Sequence, residues 1–272
     1  MKAMENSQES TQRSTEQKTD LNKYNLNLLR ERQGASSIKM KHNPTPISKN
    51  LKNSLKQTNE KKEVQVQKKI IANLFLYFST NFYGLGKHYM IDDQNRKYIL
   101  ELLSYFSKSE KFGSEGVVKN QPDISKGLFV FGPCGLGKSD LFEIFRRMGF
   151  HLAKHGYMQM YFKGYTAKEV VSNKMEFSKK LNERDPNIRK INIETGNIYL
   201  DDVGTEPKFF SQELIGDILQ ELYSKEKENT FRTLITSNLN TTELSKRYGV
   251  QVEDRFREMF NIIKWEGNSR RG

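Results

Sequence analysis

Apolar residues recur along this chain in short blocks whose spacing alternates between the signature of a buried strand and that of a helix. Five stretches read as strands, at about 127–131, 157–162, 197–200, 232–236 and 261–265. Between and before them the spacing is helical. Ile70, Ile71, Leu74, Phe75 and Phe78 mark one face of a helix within Glu63–Phe82. Tyr98, Ile99, Leu102, Leu103 and Phe106 mark another within Asp92–Phe106, with Asp92 or Asp93 as its N-cap. Leu141, Phe142, Phe145 and Met148 stripe a helix from Ser139 to about Lys154, which Gly156 stops. Thr166–Leu181 is helical and basic on its surface. Leu214, Ile215, Ile218, Leu219 and Leu222 form the buried stripe of Ser211–Lys225, and Val252–Met259 is the last helix. Lys108–Ser125 and Glu183–Ile193 are polar and read as loops. Strands alternating with helices predict an α/β fold, a mainly parallel sheet with helices on both faces. Ligand sites in such sheets gather at the carboxyl ends of the strands.

The first 60 or so residues break this pattern. They are rich in Ser, Gln, Asn, Thr and Lys and offer little apolar surface to offset the entropy of ordering, so 1–64 reads as a disordered basic arm and 65–272 as the folded domain. Leu21, Tyr24, Leu28 and Leu29 fall at helical spacing within Leu21–Arg32, which suits either a transient helix or a short partner-docking helix. The net charge of +12 is concentrated in this first quarter of the chain. Residues 1–69 hold fifteen Lys and Arg against seven Asp and Glu, a net of +8, which leaves +4 for the rest. An arm of that kind implies either a solvated tail or contact with an anionic partner such as nucleic acid. The single cysteine, Cys134, excludes an internal disulfide framework and a zinc site built on several thiolates. No apolar run nears the roughly 18 residues of a membrane helix, and Met1–Asn6 lacks the apolar core of a signal peptide. A soluble, cytoplasmic protein without membrane contact is the simplest expectation.

Chemistry enters at Gly127–Ser139. After the apolar run Leu128–Phe131 comes Gly132-Pro133-Cys134-Gly135-Leu136-Gly137-Lys138-Ser139, which fits G-x-x-x-x-G-K-[ST] at every fixed position. Glycines let the backbone wrap close to phosphates, successive N–H groups point inward, and the following helix adds the positive end of its dipole. In such a loop Lys138 reaches the β- and γ-phosphates of ATP and the Ser139 hydroxyl ligates Mg²⁺. Asn197–Gly204 then supplies an apolar strand ending in Asp201 and Asp202, 63 residues beyond Lys138. An acid at that position holds Mg²⁺ through water, and a second polarises the attacking water. Asn238 closes the strand Thr233–Asn238 and is placed to orient that water from a neighbouring strand end.

Five motifs taken in order, Gly132–Ser139, Leu200–Glu206, Ile235–Leu239, Asp254–Phe256 and Gly267–Arg271, resemble the AAA+ ATPases of the bacterial helicase-loader group (DnaC/DnaI type) over about residues 90–272. The resemblance implies an AAA+-like P-loop NTPase fold and an ATPase that engages the replicative hexameric helicase and helps place it on single-stranded DNA. It implies Asp201 as the Mg²⁺-associated acid, Asp202 in the catalytic acid position and Asn238 as sensor 1. It also implies a homo-oligomer in the ATP-bound state, in which Arg255 is the finger reaching a neighbour's γ-phosphate and Arg271 the sensor 2 arginine, with Arg270, one residue off, as the alternative. The chain departs from many AAA+ proteins in having Asp202 where they have Glu, and one cysteine cannot build the zinc-binding docking domain of some relatives. Two other readings follow from the same residues. One is an IstB-type ATP-dependent regulator of DNA transposition, with a transposase as partner; the other is a DNA-binding module in which nucleotide only stabilises assembly. For single-stranded DNA the basic stretch with Lys163, Lys168, Lys174, Lys179 and Lys180, interleaved with Tyr161, Phe162, Tyr165 and Phe177, is the expected contact surface, although Tyr161 and Phe162 lie in a predicted strand and read also as core.

Overall fold

The computed structural model describes residues 68–81, 88–179, 183, 185, 187–193, 195–208, 213–228 and 231–270. The expected arm 1–64 with its Leu21–Arg32 segment, Lys180 and Arg271 lie outside them. Five strands, β1 (Gly127–Phe131), β2 (Lys163–Thr166), β3 (Ile198–Val203), β4 (Thr233–Ser237) and β5 (Phe260–Lys264), form one sheet in the order β2-β3-β4-β1-β5, parallel at every pairing. Helices α1 (Lys68–Thr80), α2 (Arg96–Phe106) and α3 (Lys138–Lys154) cover one face. Helices α4 (Ala167–Ser178), α5 (Leu214–Glu228), α6 (Thr241–Tyr248) and α7 (Gln251–Met259) cover the other. The expected fold class is the one observed.

The period of two along each strand divides the core. Leu128 and Val130 of β1, Tyr199 of β3 and Leu234 of β4 pack under α1–α3, whereas Phe129, Ile198, Leu200 and Ile235 pack under α4–α7. Tyr199 and Asp201 therefore share the α3 side of the sheet. The chain returns through β5 to Trp265, which is 1% exposed and stacked on Tyr98 with ring centroids 4.5 Å apart. Its N–H donates to the Phe131 carbonyl (2.7 Å), so the last strand is fastened to the end of β1.

Four elements differ from expectation. Tyr157–Phe162 is turn and loop, and the strand starts at Lys163. The Tyr157 and Tyr161 amides donate to Leu152 and Met158 carbonyls in local turns, while Met160 and Phe162 are buried against the core from those turns. Apolar density there reports burial, not extended backbone, and the actual strand is a half-buried edge. Helix α6 was not expected, because only Leu244, Ser245 and Tyr248 of its eight residues are buried. At α2 the N-cap is Asn95; Asp92 instead accepts the Gln94 (3.0 Å) and Asn95 (3.3 Å) amides one turn earlier. In α1, Ile70 is exposed, and Ile71 and Phe75 carry the buried face.

Candidate functional site

β1 lies between β4 and β5, so its carboxyl end opens beside that of β4, and β3 follows one strand further on. Gly132–Ser139 leaves this end and runs directly into α3, which begins at Lys138. Gly135 and Gly137 have φ of +85° and +87°, the left-handed region in which a Cβ is penalised. A Cβ on Gly135 would also fall 2.3 Å from the Ser269 hydroxyl. Alternating right- and left-handed residues aim their N–H groups into one concavity, and the start of α3 faces it. Leu136, 1% exposed, anchors the loop in the core, whereas Cys134 is an exposed free thiol. This strand, glycine loop and helix form the P-loop arrangement that the motif predicts.

Lys138 is buried, and its ammonium donates to the Gly132 (2.7 Å) and Pro133 (2.8 Å) carbonyls and to Asn238 Oδ1 (3.0 Å). Ser139 Oγ donates to Asp201 Oδ1 at 2.8 Å. The same carboxylate oxygen accepts the Tyr199 hydroxyl (2.7 Å) and the Thr236 hydroxyl, and Tyr199 and Thr236 are themselves 2.9 Å apart. Burial, followed by the nearby Asp201 charge, raises Tyr199 well above the usual phenol range, so it stays protonated and keeps donating.

Asp202 owes its place to an irregularity. The β3–β4 register shifts between Leu200 and Val203, and Asp202 has φ of +53°. Both Leu200 and Val203 face the α4–α7 core with two residues between them instead of one. That bulge brings both acids to the strand end, where regular pleating would turn the second into the opposite core. A non-glycine residue at positive φ marks local strain of the kind that collects at functional sites. The Asp202 amide donates to Thr236 Oγ1 (3.3 Å), and its carbonyl accepts the Thr205 amide and hydroxyl.

Around these groups lies a cleft of about 590 Å³, with Asp202, Asn238 and the loop from Cys134 to Ser139 among its walls. Asp201 lines the adjoining groove, and Ser139 belongs to both. The structure therefore gathers Lys138, Ser139, Asp201, Asp202 and Asn238 from three strand ends. Oxygen donors from a hydroxyl and a carboxylate suit Mg²⁺, and the glycine cradle suits phosphate, so the residues fit both groups. Among the described residues no cluster of three or more His, Cys, Asp or Glu side chains could hold a metal; Mg²⁺ at Ser139 and Asp201 would complete its shell with phosphate oxygens and water.

Of the opposite wall only Arg270 was legible in the sequence, as the neighbour of the expected sensor 2 arginine; Tyr89, Met90 and Asp92 were not. Tyr89 packs on Gly137, and its hydroxyl lies 3.4 Å from the Gly137 carbonyl. Beyond Trp265 the chain folds over the phosphate loop, and the Arg270 amide donates to the Gly135 carbonyl (2.9 Å). The Arg270 guanidinium lines the cleft, paired with Asp92 and donating to the Met90 carbonyl (3.1 Å). Arg271 lies outside the described residues; its neighbour Arg270 occupies the cleft wall. Arg255 does not line its own chain's cleft. It stands on α7 over the Tyr223 ring, 5.2 Å from the centroid, and contacts Gln251 (3.3 Å), with Nη1 buried and without a hydrogen bond.

A buried network fixes the segment after Asp202. Glu206, 3% exposed, accepts the Gly204 amide (2.9 Å) and the Tyr248 hydroxyl (2.5 Å), and pairs with Arg247. Arg247 also donates to the Gly204 and Glu206 carbonyls and to Glu213 (3.1 Å). Glu206 falls within the motif Leu200–Glu206, whereas Arg247 and Tyr248 sit on α6, which the apolar spacing does not predict.

No protein-family model matches this chain, and no curated protein matches it. Among solved structures it is similar to the DnaC helicase loader, with 17% identity over 71% of this chain and 98% of that one, at a TM-score of 0.41. It is also similar to DnaI, with 20% identity over 65% and 88% of the two chains and a TM-score of 0.41. AMPPCP-bound DnaA from Aquifex aeolicus is similar at 20% identity over 67% and 50%, with a TM-score of 0.40. What the cleft does follows from its own side chains.

Proposed function

We propose that this chain is an ATP-binding and ATP-hydrolysing replication protein of the AAA+ helicase-loader type, which loads or regulates a replicative hexameric helicase on single-stranded DNA. The observation that carries the nucleotide part is the convergence of Lys138 on Asn238 (3.0 Å) and of Ser139 on Asp201 (2.8 Å) at one sheet end. In this reading the glycine cradle and the Lys138 ammonium neutralise the β- and γ-phosphates. Ser139 and Asp201 would hold Mg²⁺, which when bound draws charge off the phosphate oxygens. Asp202 and Asn238 line up the attacking water from the two strand ends that flank the phosphate. Asp is one methylene shorter than the Glu common at this position, so turnover is slow, which suits a timing switch better than a motor. Arg270 or Arg271 senses nucleotide from the same chain.

Arg255, away from its own cleft, acts on a neighbour's phosphates in an ATP-bound homo-oligomer. A planar, permanently charged guanidinium contacts phosphate oxygens bidentately. The loader assignment itself rests on the order and spacing of the five motifs. A pull-down with the cognate helicase in ATP and in ADP tests it: a nucleotide-dependent complex is expected, and no complex in either state would remove the loader reading. Arg255→Ala should abolish turnover only where the assembled state supports it; oligomer-dependent turnover left intact would remove the finger assignment. The IstB-type transposition regulator predicts instead that a transposase, not a helicase, is retained.

A further inference from the structure

Part of the stretch expected to contact single-stranded DNA is engaged within the protein. Phe162 is 3% exposed in the core, and the Lys163 ammonium is taken up by the Asn192 (3.3 Å) and Thr195 (2.9 Å) carbonyls. Lys179 is paired with Glu176 at 2.6 Å. A different surface combines exposed rings with cations. Where α1 packs on α3, a groove of about 390 Å³ is lined by Phe78, Arg146, Arg147, Phe150, His151 and Lys154.

Of the groove's own rings Phe78 and His151 meet across the two helices, and Tyr77 and His155 extend the row beyond its lining. Tyr77 and Phe78 have centroids 5.2 Å apart, Phe78 and His151 5.8 Å, and His151 and His155 4.8 Å. Phe150 is 52% exposed and Tyr77 48%, although large aromatic side chains are usually well buried. Neither ring is needed to join the helices, since Ile71, Phe75 and Phe145 do that from the buried side. Lys154 Nζ sits 4.5 Å above the Phe150 ring. Glu143 is the carboxylate beside the arginines, bonded to Arg146 (2.5 Å) and Arg147 (2.9 Å). Among the described residues the groove lining carries three cationic side chains, Arg146, Arg147 and Lys154, and no carboxylate. Burial, with His155 and Lys154 beside it, holds His151 below its ordinary value, so near neutral pH it presents an uncharged ring.

We propose that this groove is a track for a single strand of nucleic acid, with bases stacked on Phe150, His151 and Tyr77 and phosphates met by Arg147 and Lys154. It rests on the reading above only in taking a single strand as partner. Exposed π-faces interleaved with cations bind unpaired bases irrespective of sequence. A duplex hides its base faces within the stack, and an acidic peptide would leave the rings facing carboxylates.

The test uses the full-length chain, so that the basic arm contributes equally to every variant. Fluorescein-labelled oligo-dT and oligo-U of about 20 nucleotides, longer than one site of this kind, are titrated by anisotropy over a salt series. Phe150→Ala is expected to weaken binding about tenfold, within the range for loss of one stacked base. Arg147→Ala/Lys154→Ala is expected to weaken it further and to reduce the salt slope by about 1.4. Lys168→Ala/Lys174→Ala on α4 should stay within about twofold of wild type on this account. A 4-thiothymidine oligonucleotide should crosslink within Tyr77–His155, and a preference between oligo-dT and oligo-U identifies DNA or RNA as the strand. Unchanged affinity in the groove variants, crosslinks confined to other segments, or loss of poly-Glu binding without loss of oligonucleotide binding would each overturn the proposal. A chain that hydrolyses ATP but binds no strand overturns the groove and leaves the nucleotide site standing. A chain that binds the strand through the groove but takes up no ATP does the reverse.

Discussion

Asp201 accepts three hydroxyl hydrogen bonds on a single carboxylate oxygen, from Ser139, Tyr199 and Thr236. Such a carboxylate is held in one rotamer, and its other oxygen keeps a defined direction. The spacing of the motifs locates Asp201 and Ser139, because phosphate chemistry imposes fixed intervals along the chain. It does not locate Tyr199, which reads as one more apolar strand residue, nor Thr236, whose relation to Asp201 exists only across the β3–β4 pairing. Burial has a different consequence at Glu226, which lies at the entry to β4 and accepts the Thr233 amide (2.5 Å). Burial lifts its carboxyl from 4.5 to about 7. A carboxyl with a raised folded-state pKa binds its proton more tightly in the native than in the unfolded chain, so its contribution is fully present below pH 4.5 and is lost as pH rises through about 7. The shift corresponds to about 3 kcal/mol at most. Melting curves between pH 5 and 8 should therefore fall more steeply for the wild type than for Glu226→Gln; parallel curves would show that Glu226 titrates normally.

At the scale of elements, the helices with wide apolar stripes were legible and the narrow or polar ones were not. α5 buries all five residues that its spacing marks, Leu214, Ile215, Ile218, Leu219 and Leu222. α6 has little to bury, and its signal lies in its ends. Asn240 accepts the Glu243 amide (2.9 Å) while Glu243 accepts the Asn240 amide (2.8 Å), a reciprocal capping box. Those two residues three apart, with Gly249 behind them, could have identified the helix. Because α6 carries Arg247 and Tyr248, its first turn bears on the segment that follows Asp202. Asn240→Ala removes the cap and should cost about 1 kcal/mol, which lowers the melting temperature by about 2–4 °C in a domain of this size. An unchanged melting temperature would mean that packing of Leu244 and Tyr248 alone holds the helix. The β3 bulge was illegible for a related reason. Two successive acids after an apolar run do not reveal that the second sits at positive φ, since the register shift is a property of the pairing.

At the scale of the molecule, alternation of strands and helices was enough to predict a parallel sheet, but not the order of its strands. The order β2-β3-β4-β1-β5 is what sets the ends of β1, β4 and β3 side by side. It also carries the last strand past β1, so that Arg270 returns over the phosphate loop about 130 residues later in the chain. Asp202 and Asn238 line this cleft, and Arg255 does not. Among the described residues no helix is long and apolar enough to cross a membrane.

Calorimetric titration of the full-length chain with ATP and Mg²⁺ tests whether the cleft at Lys138 is an ATP site. Wild type should bind one ATP per chain. Lys138→Ala should weaken binding about 10- to 100-fold, the loss expected when charge-assisted hydrogen bonds to phosphate are removed. A wild type that takes up no ATP, or a Lys138→Ala variant that binds it equally well, would contradict the account.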